Sequence, residues 1–367
     1  MRIAIAREAG AGEARVAATP ETVKRIKGLG AEVVVQAGAG IASGMPDADY
    51  EAAGAVIAAT IQDAVKDADV VLKVRRPTEA EARNYRRGAL VIAIMDPFGN
   101  EAALAALADA EIVAFAMELM PRITRAQVMD VLSSQANLAG YRAVVEAASF
   151  YGRFFTGQMT AAGKVPAAKV LVIGAGVAGL AAIGAARGMG AIVRAFDTRP
   201  TVKEQVKSMG AEFIELNVHE DGEGAGGYAK EMSPAFIKAE MEMFAAQAKD
   251  VDIIITTALI PGRPAPKLIP ASAVAAMRGG SVIVDLAAET GGNCELTSPG
   301  EEVVREGVTI VGLTNLPSTM AHHASQLYAR NVTALVLHLA PEGELTLDFD
   351  DEITAGACVT RREEVTA

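Results

Sequence analysis

Cysteine, histidine and tryptophan are scarce in this sequence. Its 367 residues include two cysteines, four histidines and no tryptophan, and aromatic residues make up only 4%. Cys294 and Cys358 give no disulfide framework, and such a chain fits a reducing compartment. His322 and His323 are adjacent, but neighbouring residues of a helix point in different directions and no cysteine or acid cluster accompanies them. We therefore predict no metal site.

The sequence also has fewer basic than acidic residues and lacks long apolar runs. The chain has 34 Lys and Arg against 45 Asp and Glu, a net charge of −11, which argues against nucleic acid or an anionic membrane surface as a direct partner. The longest uncharged apolar run, residues 170–186, contains four glycines and is too short for a membrane-spanning helix. We predict no direct membrane insertion. The opening MRIAIAREAG predicts a strand and a loop rather than a signal peptide.

Small apolar residues, by contrast, are abundant and regularly arranged. Hydrophobic residues make up 51% of the chain, carried by Ala, Val and Ile, as is typical of buried parallel strands covered by helices. Apolar runs alternate with helical segments in both halves, which predicts an α/β fold with doubly wound parallel sheets. The predicted strands are residues 3–6, 32–36, 70–74, 90–94, 112–116, 170–173, 192–196, 212–216, 253–257, 282–286 and 309–312.

The order of these segments predicts the domain organisation. A chain of this length favours two domains. Long helices at residues 134–150 and near residues 322–339 flank one contiguous α/β region, which indicates an inserted domain. We predict a first domain of residues 1–133 plus 322–367 and a second of residues 134–321. The other predicted helices are residues 20–29, 61–67, 79–87 and 101–108, the first with Thr19 as N-cap and Pro20 at its start.

The strongest local motif is VLVIGAGVAGL. Gly174, Gly176 and Gly179 form G-x-G-x-x-G directly after an apolar strand. In dinucleotide-binding folds the first glycine permits a tight turn, the second lets the backbone approach a pyrophosphate, and the third lets the helix pack on the strand. The next strand ends in Asp197, eighteen residues after Gly179, where an acid binds the adenosine ribose. We predict a Rossmann-like domain for NAD(H) rather than NADP(H), because Asp197 repels a 2′-phosphate, although Arg199 nearby weakens that preference.

Three further stretches lie in the second predicted domain. In ITTALIPG, residues 257–259 follow a buried strand, where ligands of open α/β sheets bind, and an ordinary strand exit is the alternative. In DLAAETGGNC, turn chemistry is favoured over a site role for Glu289. EDGEGAGGYAKEMS is rich in glycine and carries Tyr228; it fits either a flexible surface loop or a lid with glycine hinges.

Hydrogen-bonding side chains are gathered in the stretch MPRITRAQVMDVLSSQANLAGY, residues 120–141. It places many hydrogen-bonding side chains between an apolar strand and a long helix, with no histidine or cysteine among them. Such a concentration in a largely hydrophobic chain indicates a site rather than a packing surface.

These motifs together resemble the NAD(H)-binding component of proton-translocating nicotinamide nucleotide transhydrogenase, a family related to alanine dehydrogenase. The resemblance is carried by the glycine motif, GGYAKEM, TTALIPG, DLAAETGGNC and above all MELMPRITRAQVMDVLSSQANLAGYRAV, and it extends to EARVAATPE near the start. It implies an NAD(P)+ transhydrogenase with Si/Re specificity, in which hydride passes from NADH to NADP+ on a partner domain. A membrane-spanning subunit would couple this transfer to proton translocation. The resemblance also implies a homodimer, held on the cytoplasmic face of the membrane through its partners.

The resemblance assigns roles to residues of this sequence. It implies catalytic positions at Arg122, Gln127, Asp130 and Ser133 before the long helix, and at Tyr228 in a mobile loop. Glu240 is a departure, because some relatives carry glutamine there, so that a contact with the nucleotide at this position is in doubt. With the motifs above, the resemblance gives these cofactor-binding positions: Gly174, Gly176, Val177, Gly179, Asp197, Thr198, Arg199, Gly227, Thr257, Ala258 and Leu259.

The absence of histidine from the polar stretch fits this chemistry. Oxidising an alcohol or amine releases a proton, so that such enzymes need a positioned acid or base. Passing a hydride between two nicotinamide rings moves no proton at the reacting carbons and needs alignment and exclusion of water. Arg122, Gln127 and Asp130 suit that task by fixing a carboxamide through hydrogen bonds.

Two alternatives remain open from the sequence. An alanine dehydrogenase-like, NAD-dependent amino-acid dehydrogenase would need a substrate lysine and a catalytic histidine in the first domain; the aligned positions hold Arg75 and Ile94, whereas the carboxylate anchor of that family is matched by Arg15. A regulatory module that senses NAD(H) would keep the glycine turn and Asp197 but need no second nucleotide.

Overall fold

The fold consists of two α/β units. The computed structural model describes residues 1–218, 220–222, 224, 230, 232–260 and 262–360. Contacts between Cα atoms divide the chain into one unit of Met1–Gln135 with Pro317–Ala367 and a second of Ala136–Leu316. Each unit contains its own predominantly parallel sheet, which confirms the predicted fold class.

The first unit is built on a six-stranded parallel sheet of order β3-β2-β1-β4-β5-β6. Its first helix begins as predicted, with Thr19 in a capping box and Pro20 at the first position. The strands are β1 Arg2–Ile5, β2 Glu32–Gln36, β3 Val56–Ala58, β4 Val70–Arg75, β5 Leu90–Ile94 and β6 Val113–Ala116. The helices are α1 Pro20–Lys27, α2 Asp47–Ala52, α3 Ile61–Val65, α4 Glu79–Ala82, α5 Glu101–Asp109, α6 Val131–Phe150, which runs into the second unit, α11 Ala321–Leu339 and α12 Glu352–Ala357.

The second unit has a seven-stranded sheet of order β11-β10-β9-β12-β13-β15-β14, parallel except for β14, and a separate hairpin of β7 and β8. Its strands are β7 Gln158–Thr160, β8 Gly163–Val165, β9 Lys169–Ile173, β10 Ile192–Phe196, β11 Glu212–Phe213, β12 Ile253–Thr256, β13 Val282–Asp285, β14 Glu302–Arg305 and β15 Val308–Val311. Its helices are α7 Val177–Gly188, α8 Lys203–Ser208, α9 Pro234–Ala248 and α10 Ala271–Ala276, together with the later part of α6.

The strand order of the second unit defines where a ligand binds. The order reverses at β9, which lies between β10 and β12. In open α/β sheets the crevice outside the carboxyl ends of the strands at such a switch point is the ligand site. The turn of Gly174 to Gly179, here called the glycine turn, follows β9. Asp197 follows β10 and Thr257 follows β12, so all three lie at this crevice.

Apolar side chains cover both faces of each sheet. In the first unit Ile3 and Ile5 join one core cluster while Ala4 joins the cluster on the opposite face. This alternation follows from the two-residue period of a strand, and burial of both faces explains why the parallel strands are continuous apolar runs. Among the described residues, no helix combines the length and the hydropathy required to cross a bilayer.

The DLAAETGGNC stretch is held by a buried carboxylate. Asp285, only 1% exposed, accepts hydrogen bonds from Thr256 Oγ1 at 3.0 Å, Ala287 N at 3.0 Å, Cys294 N at 2.9 Å and Thr297 Oγ1 at 2.6 Å. Glu289 Oε1 accepts from Asn315 N at 2.9 Å. Asp285 therefore organises the turn that follows β13, whereas the exposed Glu289 contributes one bond.

We expect Asp285→Ala to lower the free energy of unfolding by about 3 kcal/mol, because it leaves several buried donors without an acceptor. Urea unfolding followed by circular dichroism at pH 7 measures this change. Glu289→Ala is the matched control; its side chain is exposed and a loss within about 1 kcal/mol is expected. Equal stability of Asp285→Ala and the wild type would contradict the anchoring role.

Candidate functional site

The glycine turn after β9 has the shape that a dinucleotide requires. Gly174 has a φ of +93°, and a Cβ there would lie 2.4 Å from Thr257 Oγ1. A Cβ on Gly179 would lie 1.8 Å from Gly174 O, so that only glycine allows α7 to pack this close to the turn. Gly176 is the N-cap of α7 and has no side-chain cap, and a Cβ on it would meet only Arg199 Nη2 at 3.9 Å. The backbone amides at the start of α7 therefore face an open approach suited to a pyrophosphate.

Asp197 lies beside this turn and is already well bonded. Its Oδ2 accepts from Ala175 N at 2.7 Å and from Arg199 Nη2 at 2.8 Å. Its Oδ1 accepts from Arg199 N and Nε, each at 2.9 Å. A carboxylate has about four lone-pair positions, so these bonds fill the acceptor capacity of Asp197. Arg199 thus covers the acid and reaches over Gly176 at the same time.

We expect Asp197→Asn to raise the Kd for NADH by about tenfold or more, because asparagine cannot accept all of the hydrogen bonds by which Asp197 holds Ala175 N and Arg199 beside the glycine turn. The same change releases Arg199 for a 2′-phosphate, so the Kd for NADPH should fall. Fluorescence titration of both nucleotides measures the ratio. An unchanged ratio would show that Asp197 does not discriminate between them.

The segment after β12 is fixed by one buried asparagine that no motif of the sequence singles out. Asn293 is fully buried; its Oδ1 accepts from Ala258 N at 3.1 Å and its Nδ2 donates to Ala258 O at 2.9 Å. Thr257 Oγ1 donates to Ile173 O and Gly174 O. Leu259 is 47% exposed beyond these anchors. Asn293 stands in the quoted GGNC sequence, but a local motif does not show its partner 35 residues away.

Glu240 is a second acid in the same unit. It lies on the buried side of α9 and is only 6% exposed. Burial, and then the negative charge of Asp197, raise the pKa of Glu240 to about 7. An acid that titrates near neutrality beside a ligand crevice is a candidate functional group.

In the first unit, several polar residues of the stretch after β6 bind other elements of the unit. Arg125 forms ion pairs with Asp351 and Glu352, at the start of α12. Ser134 Oγ donates to Asn331 of α11 at 2.7 Å. Further anchors are the buried Ala126 and Met129, the bond from Asn331 Nδ2 to Val128 O, and Gln135, which binds Arg15 and Ala324. The loop is therefore held against α11 and α12.

Four of the five predicted catalytic residues lie in this loop or in the first turn of α6. Arg122 and Gln127 are exposed. Asp130 immediately precedes α6, where its Oδ1 accepts from Ser133 N at 2.9 Å and its Oδ2 accepts from Ser133 Oγ at 2.5 Å. Asp130 therefore caps α6 and orients the Ser133 hydroxyl, so this pair has a structural role in addition to the predicted one.

The remaining predicted positions are placed as follows. Val177 is 41% exposed at the first position of α7. Thr198 has a buried hydroxyl that bonds to no described group. Gly227 and Tyr228 lie outside the described residues. The assignment of all these residues to a nucleotide site stays a prediction. Within the stretches that the structure describes, no cluster of histidine, cysteine and acid side chains is suited to a metal.

Comparison with known proteins shows which family this chain resembles. The N-terminal domain model of the alanine dehydrogenase/PNT family matches residues 4–139, and its C-terminal domain model matches residues 143–367. The NAD(P) transhydrogenase subunit alpha of Cereibacter sphaeroides is 50% identical over all of this chain and 71% of its own length. In Rhodospirillum rubrum, the protein named as the first part of NAD(P) transhydrogenase subunit alpha is 49% identical over 98% of this chain and 96% of its own length. The crystal structure of transhydrogenase from Sinorhizobium meliloti matches with a TM-score of 0.86 and 48% identity, over 98% of this chain and 96% of that one.

Fold and site therefore define a dinucleotide-binding α/β protein with a glycine turn at the switch point of its second sheet. The chain belongs to the alanine dehydrogenase/PNT family. Within that family it is similar to the alpha subunits of NAD(P) transhydrogenases, which confirms the resemblance drawn from the motifs.

Proposed function

We propose that this chain is the NAD(H)-binding component of a proton-translocating NAD(P) transhydrogenase, in which hydride passes from NADH to NADP+ on a partner domain. The observation that supports this most strongly is the anchored loop before α6. It presents Arg122 and Gln127 at the surface beside the Asp130–Ser133 pair. These groups can bind and orient a nicotinamide, and none of them is a histidine poised for proton transfer.

The second unit supplies the groups that hold the dinucleotide. The amides at the start of α7 bind the pyrophosphate, and Gly176 leaves room for its approach. Asp197 lies beside the position of the ribose, while Thr257 and Asn293 keep residues 257–259 in place at the strand end. When bound, the nucleotide supplies the hydride from C4 of its nicotinamide.

The first unit supplies alignment rather than acid–base chemistry. Arg122 and Gln127 offer donors, and Gln127 also an acceptor, for a carboxamide. Asp130 holds the Ser133 hydroxyl in one direction. Holding two rings at a reacting distance and excluding water is the contribution that such residues make to a hydride transfer.

The alternative function is an amino-acid dehydrogenase of the alanine dehydrogenase type. The presence of Arg15 favours it, since this position anchors the substrate carboxylate in that family. In this structure, however, Arg15 Nε and Nη2 donate to Glu13 at 2.7 and 2.6 Å, and Nη1 donates to Gln135 at 2.9 Å. Arg15 is thus already paired with a carboxylate of the protein itself. In addition, residues 1–218 contain no histidine that could serve as the catalytic acid or base.

Rapid-quench transfer of deuterium from C4-labelled NADH to NADP+ separates these functions. The chain is mixed with a purified NADP(H)-binding transhydrogenase domain, and labelled NADPH is measured by mass spectrometry. We expect transfer that depends on both proteins. NADH binding without transfer would identify a sensor, and reduction of NAD+ by alanine would identify the dehydrogenase.

We further propose that the chain acts as a homodimer with a membrane-spanning proton-channel subunit, on the cytoplasmic face of the membrane. Its similarity to a relative whose name makes it the first part of subunit alpha supports the existence of partner subunits. Sedimentation of the purified chain tests the dimer.

A further inference from the structure

Glu240 is a buried acid whose carboxyl group lacks a hydrogen-bond donor among the described residues. On α9 it lies one turn from Phe236 and one turn from Phe244, which are 4% and 0% exposed. Phe244 packs edge to face on Phe196, the last residue of β10, at 5.4 Å between ring centroids. This contact brings the buried face of α9 against β10, the strand that Asp197 follows. No described residue donates a hydrogen bond to the Glu240 carboxyl.

The charged groups around Glu240 do not offset the cost of burying its negative charge. At the end of β10, Asp197 acts on it with a like charge, and Arg199 is already committed to Asp197 by three hydrogen bonds. The helix α10, which packs against α9, has no ionisable side chain. Glu220, on the chain leading into α9, accepts from Ser233 N, the N-cap residue of that helix. His219 lies outside the described residues.

We propose that Glu240 makes NAD(H) binding proton-linked: the dinucleotide binds with Glu240 protonated, and binding takes up a proton. This inference rests on the proposed NAD(H) site. Because Asp197 has filled its acceptor positions, a ribose hydroxyl that arrives there needs another polar group. The protonated Glu240 carboxyl offers both a donor and an acceptor at that place.

The direction of the coupling follows from charge and burial. A bound dinucleotide brings an anionic pyrophosphate and covers further solvent, and both effects favour the neutral carboxyl. Nucleotide binding therefore raises the pKa of Glu240 above its already raised value in the free protein. Affinity is full below the pKa of the free protein, about 7, and declines as the pH rises through it. Glutamine at this position mimics the protonated form.

The test is the Kd for NADH between pH 6.0 and 8.5, measured by fluorescence. For the wild type we expect a Kd that is flat at low pH and then rises by up to about tenfold per pH unit above the pKa of Glu240. Glu240→Gln should bind with the low-pH affinity throughout. Glu242→Gln is the matched control, since Glu242 is exposed on the same helix and pairs only at the surface with Lys238. It should keep the wild-type profile.

Two further measurements make the outcome decisive. Calorimetry of the wild type in buffers of different ionisation enthalpy should show net proton uptake on NADH binding at pH 7.5. This measurement uses only the wild-type protein, so it does not depend on whether a variant folds. His219→Asn should keep the pH dependence if Glu240 is its source. A flat wild-type profile, no proton uptake, or a pH dependence that survives in Glu240→Gln overturns the proposal. Absence of NADH binding at every pH would instead overturn the NAD(H) site itself.

Discussion

Arg122→Ala and Asp130→Asn are each expected to slow hydride transfer by about 100-fold while changing the Kd for NADH by less than about threefold. The reason is that these groups orient the nicotinamide, and a misplacement of about 1 Å in a bound reactant costs about this factor. The nucleotide is held chiefly at the glycine turn, so its affinity depends little on the loop. Single-turnover transfer by rapid quench, with NADH titrations in parallel, measures both quantities.

The choice of asparagine at position 130 separates orientation from folding. Asparagine is as good an N-cap as aspartate, so the bond to Ser133 N and the start of α6 remain. The charge and the strong acceptor for the Ser133 hydroxyl are lost. Arg83→Ala is the control for the loss of an arginine, because Arg83 is 79% exposed and pairs with Glu79 on the surface of α4. Wild-type transfer rates in both loop variants would show that the loop is purely structural.

Gly179→Ala is expected to abolish tight NADH binding and to destabilise the second unit by about 3 kcal/mol or more. Its Cβ would overlap Gly174 O at 1.8 Å, and both atoms belong to backbone that cannot rotate away. To relieve the overlap α7 must move from the strand, which displaces the amides that face the pyrophosphate. Thermal unfolding and NADH titration measure the two consequences.

Gly188→Ala is the matched control for this substitution. Gly188 ends the same helix, and a Cβ added there meets no atom within 4 Å. Alanine should leave NADH binding unchanged and stabilise the helix by about 0.5–1 kcal/mol, since it is a better helix former than glycine. If Gly179→Ala behaved like Gly188→Ala, close packing of α7 on the turn would not be required for the site.

The long parallel strands were predictable because both of their faces are buried, which makes them continuous apolar runs. β2, β5 and β10 have the predicted bounds, and β4, β9 and β12 differ by one residue. Shorter elements were missed: β3 has three residues, and β14 pairs antiparallel at the sheet edge with an exposed Val304. Their sequences have too few positions to show a period, and a neighbouring strand in the fold completes their hydrogen bonds.

Within the polar stretch, the sequence could not show which groups anchor the loop. No local motif indicates that Arg125 pairs with acids more than 200 residues away. Likewise, Asn293 forms hydrogen bonds with Ala258, 35 residues away, and the negative charge of Asp197 raises the pKa of Glu240. No local motif spans either distance along the chain.

The sequence by itself therefore determined the features set by local geometry. These are the strand and helix periods, the capped start of α1 and the glycine turn, because turn, period and cap each depend on residues a few positions apart. The tertiary structure alone decided which polar groups anchor the loop after β6, how Arg199 binds Asp197, and that Glu240 is buried near the charge of Asp197. Hydrogen bonding, burial and charge–charge interactions act through space, so they depend on which residues the fold brings together from distant parts of the chain.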